Sequence, residues 1–371
     1  MPQIPASRQK FFLTAESLLI GAAGGLLFSA AKFPAGWLAG SMIFAAVAAL
    51  AGRTIHVPHL FARACSVVLG ITIGGVVTPE TLRGMATWPL SIAMVAISVA
   101  AATLATFAYL TRVHRWNAIT AMLASIPGGL AQVMALATEA RRNCDIRAVA
   151  IVQTLRVVIL TVVVPAALSL AGHVGAVRLP ANATAVAEAP VAFAILIGAA
   201  SAVGLGLLRL GFPGGVMFGP LVVSAVLHGG ALIDVTMPSW LAIAAMVGLG
   251  TLSGGRFSGM PLRLMLGYLG AALGAFVISL VVTAAIGIAV TLATPLPIAE
   301  VIVAYAPGAV DAMMILALAL NLDPVFVGAH HLTRVFVVSL GLPILAHYFS
   351  ASGSKRPKSR STLPKGDGLG D

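Results

Sequence analysis

The chain has 371 residues, 59% of them hydrophobic and 9% charged, with a mean hydropathy of +1.03 and a formal net charge of +11. Soluble domains carry about 25% charged residues, so a soluble globular protein of this size is excluded. Its two cysteines, Cys65 and Cys144, exclude a disulfide scaffold and a thiolate cluster.

Twelve apolar segments follow one another, at 11–31, 34–52, 60–78, 87–110, 116–140 and 147–172, then at 190–210, 213–233, 238–256, 262–292, 298–320 and 325–349. Runs near 20 residues predict bilayer-spanning helices, which makes the fold class an all-α polytopic membrane protein. Arg8 and Lys10 before the first segment give it the look of a signal peptide. Its counterpart at Pro190–Leu210 argues for a retained span instead. A less hydrophobic linker at 173–189 separates a first membrane repeat, 1–172, from a second, 190–350. Residues 351–371 are rich in Ser, Lys, Arg, Pro and Gly and predict a disordered basic tail.

The two halves match residue by residue. F-P-A-G-W-L-A-G at 33–40 matches F-P-G-G-V-M-F-G at 212–219, an offset of 179. Pro58 matches Pro238, G-I-T-I-G-G at 70–75 matches G-T-L-S-G-G at 250–255, and Pro127 matches Pro307, all at 180. Asp145, Arg156 and Pro165 match Asp323, Arg334 and Pro343 at 178. Loop insertions produce such small shifts, so the chain is an internal duplication. The glycines of the second match have the spacing of close helix packing.

In each half a Pro-Gly step interrupts an apolar segment: Pro127-Gly128-Gly129 in one, Pro307-Gly308 in the other. Proline removes a backbone donor and glycine breaks a helix, so each step frees backbone groups that lipid cannot satisfy. The next segment in each half carries one arginine, Arg156 or Arg334. A buried guanidinium is costly in a membrane and should face the protein interior.

Charge decides whether the interrupted segments cross. Lysines and arginines of short loops favour the cytoplasm. Twenty of the 22 lie outside the spans or at their ends, the exceptions being Arg156 and Arg334. Twelve full crossings with an internal N-terminus would put twelve of those inside and eight outside; re-entrant hairpins at 116–140 and 298–320 change this to seventeen and three. The expected architecture is therefore two repeats, each of five transmembrane helices plus one re-entrant or broken Pro-Gly helix. Five is odd, so the repeats are inverted, a recurring design of secondary transporters.

The candidate site follows from these features. Arg156 and Arg334 either clamp a carboxylate or similar anion or brace their own hairpins by bonding the tip carbonyls. The tips Pro127, Gly128, Gly129, Pro307 and Gly308 begin second half-helices whose N-termini suit anions, or they are packing kinks. Gln132 and Gln153 lie on the first repeat's site face. Asp311 follows Pro307 by four residues, one helical turn, and either neutralises Arg334 or binds H⁺ or Na⁺. His330 and His331 precede Arg334 by four and three residues, which permits a proton relay. No phosphate-binding loop, nucleophile triad or metal-ligand cluster is visible, so the expectation is not an enzyme, with no cofactor and no metal.

Taken together in both halves, these motifs, with H-H-L-T-R at 330–334, resemble the AbrB family of bacterial membrane proteins over about 11–349. That family is known for an internal duplication and is grouped with antiporter and anion-transporter folds. Its members carry labels such as membrane regulator of gene expression or ammonia monooxygenase. Where an acidic residue commonly follows the first Pro-Gly-Gly motif, this chain has Gln132, and Asp311 of the second copy lies one position earlier. The residues point to an inner-membrane secondary transporter of a small anionic or zwitterionic solute, with Arg156, Arg334 and the two tips as its site and Asp311, His330 and His331 coupling it to H⁺ or Na⁺. The alternative is a membrane sensor that regulates gene expression indirectly. The expected partners are a small-molecule solute and the lipid bilayer, without direct contact to nucleic acid.

The topology puts both termini and the loop at 143 in the cytoplasm. A cysteine placed at Asn143 is expected to resist a membrane-impermeant thiol reagent applied from the periplasmic side. Labelling from that side would rule out the re-entrant topology of the first repeat.

Overall fold

The computed structural model describes residues 6–77, 85–128, 130–139, 143–172, 189–212, 214–230 and 232–353. The linker and the basic tail beyond 353 lie outside them. Among the described residues are fourteen α-helices and no β-strand. The first half holds α1 (Ala6–Ala30), α2 (Gly36–Leu50), α3 (His59–Gly74), α4 (Pro89–Arg112), α5 (Ala118–Ser125), α6 (Leu130–Glu139) and α7 (Ile146–Leu170). The second holds α8 (Pro190–Arg209), α9 (Gly215–Gly229), α10 (Ser239–Gly254), α11 (Leu262–Ala293), α12 (Ile298–Tyr305), α13 (Val310–Ala319) and α14 (Pro324–Gly353).

Each interrupted segment is two short helices, which turns twelve apolar segments into fourteen helices. The duplication extends to helix length. α2 and α9 have 15 residues each, α3 and α10 16, α5 and α12 8, and α6 and α13 10. The F-P-A-G and F-P-G-G motifs start α2 and α9 alike, with Ala35 (φ 54°) and Gly214 (φ 68°) in the left-handed region at the N-cap.

Among the described residues, six helices are long and apolar enough to cross a membrane: α1 from Gln9, α4, α7, α8, α10 through Phe257, and α11. The shorter apolar helices α2, α3 and α9 have 15, 16 and 15 residues. At a rise of about 1.5 Å per residue they reach roughly 22–24 Å.

Glycines set the distances between helices. α3 packs on α9, and a Cβ at Gly70 would lie 2.4 Å from the Met217 carbonyl oxygen and one at Gly74 2.4 Å from that of Leu221. The matched pair in α10 packs on α2: a Cβ at Gly250 would lie 2.7 Å from the Leu38 oxygen and one at Gly254 2.2 Å from the Met42 oxygen. In both pairs contact advances along the two helices together, so each runs parallel. The same G-x-x-x-G spacing thus joins one half to the other twice.

α4 and α11 form the third cross-half contact, and they run antiparallel. The Tyr109 hydroxyl donates to the Gly270 carbonyl at 3.3 Å and lies against Gly274, while Ser98 and Thr283 face one cavity farther along. The hairpins pack between this pair and the arginine-bearing helices α7 and α14. Asn143, between the first hairpin and α7, is exposed, whereas Cys65 and Cys144 are buried, so native thiols contribute little to labelling at 143.

Gly74→Ala and Gly254→Ala force a methyl group into neighbouring backbone and should each destabilise the protein by about 1–3 kcal/mol, read as a lower melting temperature of the purified protein. Gly206, a helical position with nothing within 4 Å of a built Cβ, is the control. Gly206→Ala should leave stability unchanged or raised by up to about 1 kcal/mol.

Candidate functional site: two hairpin tips braced by buried arginines

α7 and α14 begin in the same way. Asp145 Oδ1 accepts from the Arg147 and Ala148 amides at 3.0 and 3.1 Å, and Asp323 Oδ1 accepts from the Val325 and Phe326 amides at 2.8 and 3.1 Å. These N-caps satisfy first-turn donors and fix where each helix starts. Arg156 and Arg334 each lie eleven residues beyond their cap, so the two caps set the arginines at the same distance along their helices.

Each arginine reaches the break of its own hairpin. Arg156 donates from Nη2 to the Ile126 carbonyl at 2.9 Å. Arg334 donates from Nη1 to the Ala306 carbonyl at 2.6 Å and from Nη2 to that of Gly308. Ile126 and Ala306 are the residues before the two prolines, at an offset of 180. Their carbonyls lose a helical partner because the chain turns at Pro127, with Gly128 at φ +105°, and at Pro307. Permanently charged, multi-donor guanidinium groups make them the strong kind of hydrogen bond.

A second side chain completes each brace. Gln153 accepts from Arg156 Nη2 through Oε1, and its amide donates to the Leu123 and Ile126 carbonyls at 3.0 and 2.9 Å. His331 accepts from Arg334 Nη2 at Nδ1 and donates from Nε2 to the Val303 carbonyl at 3.0 Å. Val303 lies 180 residues after Leu123, so glutamine and histidine do the same job in the two halves. This network requires the neutral His331 tautomer with its proton on Nε2.

The halves also interlock at the tips. A Cβ on Gly128 would lie 3.3 Å from Arg334 Nε, and one on Gly308 would lie 2.7 Å from Leu160 of α7. Arg156 and Arg334 are each 3% exposed, and the charge of Arg156 acts on Arg334. Neither has a carboxylate partner among the described residues, whose one ion pair joins Arg53 to Glu16 at 3.0 Å. In both arginines the Nε–H is buried without a partner. Pro127, Pro307, Tyr305 and Arg334 line a cavity with Val95, Ser98, Val99, Thr283 and Ala304; its space for water-sized centres is about 10 Å³, enough for about one water molecule.

The remaining sequence candidates lie as follows. Asp311 opens α13, one turn beyond the tip, half-buried, and forms no ion pair with Arg334 among the described residues. His330 points away from Arg334: its Nδ1 bonds the Phe326 carbonyl at 2.7 Å and its Nε2 lies 2.8 Å from Ser91 Oγ. Tyr305 donates to the Ser91 carbonyl at 2.5 Å, which ties the second hairpin to α4. Gly129 and the side chain of Gln132 lie outside the described residues. Ser98 and Thr283 were absent from the sequence-derived set. Hydroxyl residues inside long apolar helices were the available signal.

The brace generates a stability prediction. Gln153→Leu removes an acceptor from Arg156 and a donor from two carbonyls, and should cost about 3–5 kcal/mol, as breaking a buried charged network does. His331→Gln supplies the acceptor and donor that Gln153 supplies in the other half, and should keep a melting temperature near wild type. A large loss in His331→Gln would show that the two halves are not braced alike.

Known proteins resemble the chain over most of its length. Residues 37–350 match the family described as "Transition state regulatory protein AbrB". A protein of Escherichia coli (strain K12), named as a candidate regulator AbrB, is 29% identical over 339 residues, covering 89% of this chain and 94% of the relative. The uncharacterized protein YhjN of Bacillus subtilis (strain 168) is 26% identical over 378 residues, covering 93% of this chain and 95% of the relative. No solved structure matches the chain. With 314 of its 371 residues inside the family match, the chain belongs to the AbrB family.

Proposed function

We propose that the protein is an inner-membrane secondary transporter of a small anionic or zwitterionic solute, without enzymatic activity or cofactor, built of two inverted repeats with both termini in the cytoplasm. The observation that carries this is the uncompensated pair of charges at the hairpin tips. Two guanidinium groups, each 3% exposed, sit within reach of one another's field with no acid paired to either among the described residues. Burying an ion costs several kcal/mol unless a partner offsets it, and like charges add to that cost. Carbonyl dipoles and one neutral acceptor per arginine offset part of it. An anion seated between the tips, bonded by the two free Nε–H groups, supplies the rest.

The packing supports inversion. α3 runs parallel to α9 and α10 runs parallel to α2, while the equivalent helices α4 and α11 oppose one another. Equivalent elements of the two halves thus approach the site from opposite sides, which is what alternating access around a central solute requires.

Coupling to H⁺ fits the one chemical difference between the braces. A proton on His331 Nδ1 would remove the acceptor for Arg334 Nη2, whereas Gln153 holds Arg156 at any pH. Asp311 and His330 lie on the same side of the molecule's asymmetry, since their counterparts, at offsets of 180 and 178, are Ala131 and Val152. A second function has its own support in the E. coli relative's name: a sensor that binds the same anion and passes the signal to a partner.

Proteoliposomes loaded with candidate anions separate the two. Counterflow of a bound anion is expected from a transporter, and binding without flux is expected from a sensor. Arg156→Lys and Arg334→Lys keep the charge but lose the planar fork. Each should lower affinity for a transported anion at least about tenfold, or 1.4 kcal/mol. Because the Nη groups hold the tips, both variants should also lose stability, so affinity is the readout that distinguishes binding from bracing. Wild-type affinity in both would contradict an anion site.

A further inference from the structure

α4 and α11 carry hydroxyls where an apolar seam would be expected. Ser98 and Thr106 of α4 are 3% and 1% exposed, and Ser279 and Thr283 of α11 are 0% and 3% exposed. Ser98 and Thr283 line the cavity beside Arg334. Thr106 Oγ1 and Ser279 Oγ have no hydrogen-bond partner, and the other buried side-chain atoms in that position are Arg156 Nε and Arg334 Nε. Among the described residues, every buried polar side-chain atom left without a partner therefore lies on the two arginines or on this seam.

The four hydroxyls fall on one stripe of each helix. Ser98 and Thr106 are eight residues apart with fully buried Ala102 between them, and Ser279 and Thr283 are four apart. At about 1.5 Å per residue these spacings span roughly 12 and 6 Å. In the antiparallel pair, Thr106 lies toward the Tyr109–Gly270 end of the seam and Ser98 toward the hairpin tips. A hydroxyl stranded in a protein interior is unfavourable unless something bonds it.

We propose, resting on the anion-site assignment above, that the hydroxyls of Ser98, Thr106, Ser279 and Thr283 are ligands of the solute alongside the two Nε–H groups, and that the solute is an oxyanion without an ammonium group. The free groups are donors: two Nε–H and the hydroxyls of Ser98, Thr106 and Ser279, while Thr283 Oγ1 donates to the Leu280 carbonyl at 3.1 Å and turns from it to bond the solute. The acceptors nearest the arginines are already committed, Gln153 Oε1 to Arg156 and His331 Nδ1 to Arg334. An ammonium group would find no carboxylate at the tips and would lie beside two guanidinium cations. A carboxylate or another oxyanion has several acceptor oxygens to share among these donors, and the stripe lets it pass from the tips along the seam without losing hydroxyl contacts. The cavity, with room for about one water, lies at the tip end of the stripe, where Ser98 and Thr283 line it.

The test uses the full chain purified in detergent, with thermal unfolding followed at constant ionic strength in sodium acetate, sodium sulfate and glycine. Acetate or sulfate should raise the melting temperature in a saturable way, and glycine, which shares acetate's carboxylate but adds an ammonium group, should not. Thr106→Val and Ser279→Ala remove unpaired buried hydroxyls. Without added anion they should melt at or above the wild-type temperature, yet the apparent affinity for the stabilising anion should fall at least about threefold. Ser98→Ala and Thr283→Val should weaken it by a similar factor or more. An unchanged anion response in all four variants would show that the hydroxyls hold water or nothing, and would overturn this proposal alone. Equal stabilisation by glycine would overturn the exclusion of an ammonium group. Failure of both acetate and sulfate to stabilise the wild-type protein would count against the anion site itself and this proposal with it.

Discussion

A helix broken inside an apolar environment leaves carbonyl oxygens with no water to bond them, and the rest of this structure answers that constraint twice. The chain breaks before Pro127 and before Pro307, and in each case a guanidinium from the following long helix takes the freed carbonyl. Neutral donors could satisfy a carbonyl at less electrostatic cost. Choosing arginine converts a backbone problem into a charge problem, because two buried cations now lie near each other with their Nε–H groups unspent. In the proposed function, a bound anion solves that second problem.

The scaffold exists to hold these tips in register. Asp145 and Asp323 start α7 and α14 at equivalent points, so both arginines lie the same eleven residues along their helices. The Gly70–Gly74 and Gly250–Gly254 pairs let α3 and α10 approach the backbones of α9 and α2 more closely than any side chain would allow. Symmetry then fails at one chosen place. Gln153 and His331 make matched bonds, but only one of them can take up a proton, and the acidic Asp311 has Ala131 at the corresponding position. A duplicated frame with an unmatched titratable set can respond to a proton in one half and not in the other.

Much of this was legible in the sequence. Offsets of 178–180 between motifs reappear as helices of equal length, because duplicated apolar patterns and duplicated Pro-Gly breaks are local features that need no tertiary context. The arginines stood out for the same reason, as single charges in long apolar runs. Side-chain direction was not legible. Spacing put His330 and His331 on the arginine's face together, but crowding by Trp88 and Phe326 turns His330 toward Ser91 while His331 turns to the hairpin. Asp311 likewise forms no ion pair with Arg334, although spacing put it one turn from the tip. The seam hydroxyls of α4 and α11 escaped notice because a serine or threonine in an apolar helix usually bonds its own backbone, as Thr103 does to the Val99 carbonyl at 2.7 Å. Only a packed seam reveals that Thr106 and Ser279 do not.

The central claim is that the positive charge between the tips is balanced by a bound oxyanion. Diffraction from crystals of the protein grown with sodium selenate tests it most directly, since selenium marks the anion by its anomalous signal. The account predicts a selenium peak between Pro127 and Pro307, with selenate oxygens at hydrogen-bonding distance, about 2.7–3.2 Å, from Arg156 Nε and Arg334 Nε. Tips well ordered in saturating selenate with no peak there, and with both Nε–H groups bonded to protein or water, would contradict it.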